Sequence, residues 1–142
     1  MIEVIHNLFQ GSREDAIKVS QDGRVDAIIY LGQEMNEKKL THESKSPVIH
    51  FPLNDGYNPK SRLGVLISVI DSLYRPFLME QRYLLIACRY GNSRSPSIIL
   101  LYLVERRGHS FDEAYTFIRK QIPNFDPKPE LLNSIKEYLV PR

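Results

Sequence analysis

Apolar residues follow two alternating rhythms along this chain. Short runs of strand type (Val4-Ile5-His6, Leu8-Phe9-Gln10, Val25 to Leu31, Val48-Ile49-His50-Phe51 and Tyr83 to Ala87) are separated by longer stretches with apolar residues every three or four positions. The first two runs turn around Asn7. Ser12 with Asp15 three residues on predicts a capped helix start, and Asp22-Gly23 predicts its end. Leu63, Leu66, Ile67, Ile70, Leu73 and Tyr74 share one face of a helix predicted from about Ser61 to Met79. Further helices are predicted over Ser95 to Arg107, stopped by Gly108, and over Phe111 to Gln121, capped by Ser110 and Glu113 and followed by Pro123. Pro129 opens a last one, running to about Leu139, whose apolar face is expected to pack on its own domain. Strands alternating with helices of this length predict an α/β fold. Its central sheet is twisted and mostly parallel, with about four to five strands and helices on both faces.

Composition narrows the class. A chain of 142 residues without repeats or linker-like stretches is expected to form one domain, 1–142. A net charge of +2 gives no pointer to a nucleic-acid or membrane partner, and a monomer is expected. The longest wholly apolar run is about seven residues, far short of a membrane span. Met1-Ile2-Glu3-Val4 lacks a signal-peptide pattern, and a single cysteine cannot form an intramolecular disulfide. Cytoplasmic residence is therefore expected. His6, His42, His50 and His109 are scattered without ligand spacing, so neither a metal nor another cofactor is expected.

That single cysteine carries the chemistry. Cys88-Arg89-Tyr90-Gly91-Asn92-Ser93-Arg94-Ser95 joins a predicted strand to a predicted helix. A thiol placed there sits at a helix N-terminus, whose backbone N–H groups favour an anion. Arg89, Tyr90, Gly91, Asn92, Ser93 and Arg94 are the candidate phosphate-binding residues. Gly91 allows the backbone to turn, and Arg94 offers a planar fork able to hold two oxygens at once.

The spacing of Cys88, Gly91, Arg94 and Ser95 arises by chance on the order of once in a few thousand cases from average residue usage. It resembles the cysteine-x5-arginine-serine/threonine signature of the protein tyrosine phosphatase superfamily, and the whole chain is similar to a compact dual-specificity phosphatase domain. Leu8-Phe9-Gln10-Gly11-Ser12, Asp55, Ser93-Arg94-Ser95, Ala114-Tyr115 and Pro123-Asn124 follow that family's order. The resemblance implies catalysis by Cys88, Arg94, Asp55 and Ser95. Cys88 would attack phosphorus as a thiolate, Asp55 would protonate the leaving group, and Ser95 would stabilise the thiolate released on hydrolysis. Ser95 also fits a helix N-cap, Asp55 also fits a turn before Gly56, and Asp126 is a second candidate acid. One departure stands out: Ala87 holds the place where the family usually carries a histidine, so a weakened or shifted pH profile is expected rather than a dead enzyme.

The implied substrate is a phosphorylated protein or peptide bearing phosphotyrosine, and also phosphoserine or phosphothreonine. Arg89 within the loop keeps a phosphoinositide, an RNA 5′-phosphate or a small phosphorylated metabolite open, and Ala87 keeps open a phosphate-binding module of low turnover. A sulfurtransferase also uses a cysteine loop, but Asp55 and the Arg94-Ser95 pair have no clear job there. Lys60, Arg62 and Arg89 form either a basic rim or ordinary solvated charge. Tyr57 and Tyr90 are candidates for the pocket mouth.

Overall fold

The computed structural model describes residues 1–33 and 44–140. Strands β1 (Ile2–Ile5) and β2 (Leu8–Ser12) pair antiparallel. The turn between them places Asn7 at φ 65°, a left-handed conformation that asparagine tolerates better than most residues. Ser12 then caps α1 (Arg13–Asp22) in a reciprocal box with Asp15, and Gly23, at φ 66°, ends it. β3 (Ala27–Tyr30), β4 (Val48–His50), α2 (Lys60–Glu80), β5 (Leu84–Cys88), α3 (Arg94–Arg107), α4 (Phe111–Gln121) and α5 (Pro129–Leu139) follow. The five strands lie in the order β1-β2-β5-β3-β4, parallel except for the first pair.

β5 is the central strand, and its pleat divides the core in two. Leu84, Ile86 and Cys88 face the larger core beneath α2 to α5, whereas Leu85 and Ala87 face a smaller one with Ala16 and Val19 of α1. Helices therefore cover both faces of the sheet, which is why β5 is buried along its whole length. The apolar face of α5 packs inward through Leu131, Ile135 and Tyr138. Among the described residues no helix is long and apolar enough to cross a membrane.

Element bounds differ from the sequence pattern by at most two residues. The third strand is Ala27–Tyr30, because Val25 belongs to the preceding connection despite being buried. α2 extends to Glu80 and ends on Gln81 at φ 58°, with no glycine to announce it.

A buried polar cluster ties α2 to α3. Asp71 accepts hydrogen bonds from Tyr102 Oη (2.7 Å), Arg106 Nη1 (2.8 Å) and Arg75 Nε (3.1 Å). Burial alone would raise the Asp71 carboxyl, but these three donors outweigh it and hold it below its ordinary value of 3.8. Its contribution to stability is therefore complete above the unfolded value and lost as pH falls through the lower folded one. Asp71→Asn should destabilise the fold by about 2 kcal/mol at neutral pH. Urea melts check this: the gap from the parent should close as pH falls through the lowered folded value of Asp71.

Candidate active site

Cys88 is the last residue of the central strand, and α3 starts six residues later, so the loop 89–93 spans the carboxyl end of the sheet. Open α/β sheets bind ligands there. Gly91 lies at φ 72°, and a Cβ on it would come within 3.0 Å of the Ser12 backbone nitrogen and 3.1 Å of the Gly11 carbonyl carbon. Conformation and close approach both demand glycine.

The loop is braced from outside through its carbonyls. Arg89 O accepts from Arg13 N (3.2 Å), Gly91 O from Gln10 Nε2 (2.7 Å) and Asn92 O from Asp126 N (2.7 Å). In a planar trans peptide the carbonyl and the following N–H point in opposite directions. The N–H groups of Tyr90, Asn92 and Ser93 are thus turned the other way, to the inside of the loop. Such a ring of amides is an anion receptor.

Beneath it, Cys88 is 1% exposed and Arg94 7%. Arg94 donates one of its five N–H groups from Nη1 to the Leu53 carbonyl (3.2 Å), which locates the guanidinium beside the segment that follows β4. Ser95 Oγ lies 3.2 Å from Cys88 Sγ. The N-cap position of α3 is Ser93, which makes no side-chain capping hydrogen bond, and Ser95 falls inside the first turn, so the capping role the sequence left open to Ser95 is not taken.

Asp55 comes from the loop between β4 and α2. Its Oδ1 accepts from Ser93 Oγ at 2.6 Å, and that hydroxyl accepts from Lys128 N at 3.2 Å. Asp55 and the cysteine loop are therefore joined directly. Asp126, the alternative acid, is exposed, and its backbone N–H braces Asn92.

Sequence reasoning did not see which residues hold this arrangement: Asn58 is not singled out there, and Arg62 and Gln10 are, but without this role. Asn58, 2% exposed, satisfies the Asp55 loop from within: Nδ2 donates to the Asn54 and Gly56 carbonyls (2.9 and 3.1 Å), and Oδ1 accepts from Asn54 N (3.1 Å). Arg62 donates Nε and Nη2 to the Pro52 carbonyl (3.1 and 2.6 Å) and lies over the Phe51 ring. It is a strut of the acid loop rather than a rim charge. Gln10 is a third such residue; the sequence places it in the motif Leu8-Phe9-Gln10-Gly11-Ser12 with no role for its side chain.

Ala87 projects away from the pocket, fully buried beneath α1 with Val19, Tyr30 and Leu85. Tyr30 stacks on His50, whose Nε2 meets the Gly32 carbonyl. Tyr57 and Tyr90 are exposed, and Arg89 lies over the Tyr90 ring. Among the described residues no group of three or more His, Cys, Asp or Glu is arranged to hold a metal; His42 lies outside them.

A family model described as dual specificity phosphatase, catalytic domain, matches residues 8–140. Mouse dual specificity protein phosphatase 8 is 24% identical over 143 aligned positions, which cover 97% of this chain and 20% of that protein. The chain thus spans about a fifth of the length of that relative. Among solved structures, human DUSP28 superposes with a TM-score of 0.78 at 18% identity, covering 97% of this chain and 94% of that one. The human tyrosine phosphatase-like serine/threonine/tyrosine-interacting protein gives 0.78 at 20% identity, with the same coverage. At such identities the structural likeness speaks to the fold.

Proposed function

The chain belongs to the dual specificity phosphatase catalytic-domain family, and from that membership and the loop geometry we propose a cysteine-dependent, metal-independent phosphatase. It hydrolyses phosphotyrosine, and phosphoserine and phosphothreonine, in proteins through a cysteinyl-phosphate intermediate. The observation that carries this proposal is the cysteine at the floor of a loop whose carbonyls are anchored outward and whose amides turn inward.

Phosphoryl transfer asks for position and charge stabilisation more than covalent chemistry. Three phosphate oxygens take the loop N–H groups and the Arg94 fork. The Cys88 thiolate attacks phosphorus from below, the S–P bond forms and the bond to the leaving oxygen breaks. Asp55 supplies the proton. Ser93 Oγ accepts from the Lys128 N–H and donates its own proton to Asp55 Oδ1, which leaves Oδ2 to carry the proton to the departing oxygen. Water then attacks phosphorus and gives its proton to Asp55. The S–P bond breaks, inorganic phosphate leaves, and Ser95, 3.2 Å from the sulfur, hydrogen-bonds the released thiolate.

Steady-state assays with p-nitrophenyl phosphate and with phosphotyrosine, phosphoserine and phosphothreonine peptides, all in the presence of a chelator, test the proposal. Turnover unaffected by the chelator is expected on all four. A strict requirement for added Mg²⁺ or Zn²⁺ would refute the metal-free chemistry. Aryl phosphate turnover without any peptide turnover would refute the substrate class alone.

A further inference from the structure

Gln10 lies on β2 opposite Ile86 of the central strand, 2% exposed, and the chemistry above gives it no role. Its Nε2 is 2.7 Å from the Gly91 carbonyl oxygen, 2.8 Å from Ser95 Oγ and 3.4 Å from the Gly11 carbonyl oxygen. A carbonyl can only accept, so the NH₂ group must be the one facing Gly91, and its second N–H is directed at Ser95 Oγ. Ser95 is thereby made an acceptor toward Gln10. Its single proton then has two acceptors in reach, Cys88 Sγ at 3.2 Å and the Gly11 carbonyl at 3.4 Å. The sulfur is nearer, and as a thiolate it is charged, which makes it the stronger acceptor.

We infer, resting on the phosphatase reading above, that Gln10 is a positioning residue. It orients the Ser95 hydroxyl proton onto the Cys88 sulfur, and so assists departure of the thiolate when water cleaves the cysteinyl phosphate. In that step the water oxygen bonds to phosphorus, the water proton goes to Asp55, and the S–P electron pair stays on sulfur, where the Ser95 proton meets it. Gln10 touches neither the phosphate nor the leaving group, and acts through Ser95. The charged groups on the elements around the thiol are Arg94 from α3, Asp55 from the acid loop, Arg89 in the loop itself, and Arg13, Glu14 and Asp15 at the start of α1. A neutral substitution at position 10 changes none of them.

Gln10→Met keeps the side-chain length and removes both donors. It is compared with Ser95→Ala and with the double variant in aryl phosphate hydrolysis. The Met variant also gives up the Gly91 brace, which lowers kcat and kcat/KM together; beyond that shared loss, kcat should fall about tenfold further than kcat/KM, because intermediate breakdown slows as well. A pre-steady-state burst of the aryl alcohol should grow accordingly. In the Ser95→Ala background the Met substitution should cost only the Gly91 brace, lowering kcat and kcat/KM alike, with no extra loss in kcat. A purely parallel fall in kcat and kcat/KM in Gln10→Met itself would leave Gln10 with the loop brace alone and overturn the inference, and an excess loss in kcat that persists without Ser95 would overturn the route through its hydroxyl.

One readout requires neither turnover nor a variant at position 10. The side-chain NH₂ signals of Gln10 in NMR should move as the Cys88 thiolate is protonated, and stay put in Cys88→Ala. Signals indifferent to the state of Cys88 overturn the inference even in an active enzyme. Signals that respond in a protein without phosphatase activity would uphold the hydrogen-bond relay while the phosphatase reading falls.

Discussion

Cys88→Ser is expected to lose turnover by about 10⁴-fold or more while still binding phosphate or vanadate. The size follows from two failures of the serine hydroxyl. It is not ionised near neutral pH, so the in-line attack lacks its nucleophile, and a serine phosphate would release a far poorer leaving group in the second step. Binding survives because the receptor is made elsewhere. The inward amides are set by Arg13, Gln10 and Asp126 on the loop carbonyls, and the Arg94 guanidinium by Leu53. None of these partners touches the sulfur. Titration calorimetry with vanadate alongside steady-state kinetics separates the two properties. Residual turnover within about tenfold of the parent would remove Cys88 as the nucleophile.

The architecture was legible because its signals are local. Ser12 with Asp15 and Ser110 with Glu113 form the capping boxes their spacing predicts, and β5 and the helices beside it follow the apolar rhythm. The elements harder to place were those ended by tertiary structure, as where α2 stops on a left-handed Gln81. The site divides in the same way. Cys88, Gly91, Arg94 and Ser95 share one short loop and its helix, so their spacing alone brought them together on the page. The residues that tune them sit far away in sequence: Gln10 reaches Gly91 across 81 positions, and Asn58 donates its backbone N–H to Ser134 across 76. No periodicity marks such a pair, because each is specified by how strands and loops stack rather than by local propensity. Ala87 illustrates the limit from the other side. The sequence showed a histidine missing, but only the pleat shows that the side chain at 87 points beneath α1, whereas the thiol at 88 faces the opposite core.

Asp55→Asn tests the other half of the chemistry, and its effect depends on the leaving group. A p-nitrophenolate departs readily without a proton, whereas a serine alkoxide does not. The variant should therefore lose about 10²- to 10³-fold in kcat/KM on a phosphoserine peptide and much less on p-nitrophenyl phosphate. Asparagine is the right replacement because it keeps an oxygen to accept from Ser93, and Asn58 and Arg62 hold the loop through backbone groups that the substitution leaves alone. Position is thus preserved while the transferable proton is removed. The slope of log kcat/KM against leaving-group basicity is the measurement. It should steepen in the variant, since the leaving oxygen must then bear its full charge in the transition state. Equal losses across the series would mean that Asp55 serves the loop as a hydrogen-bond acceptor for Ser93, with the proton coming from elsewhere.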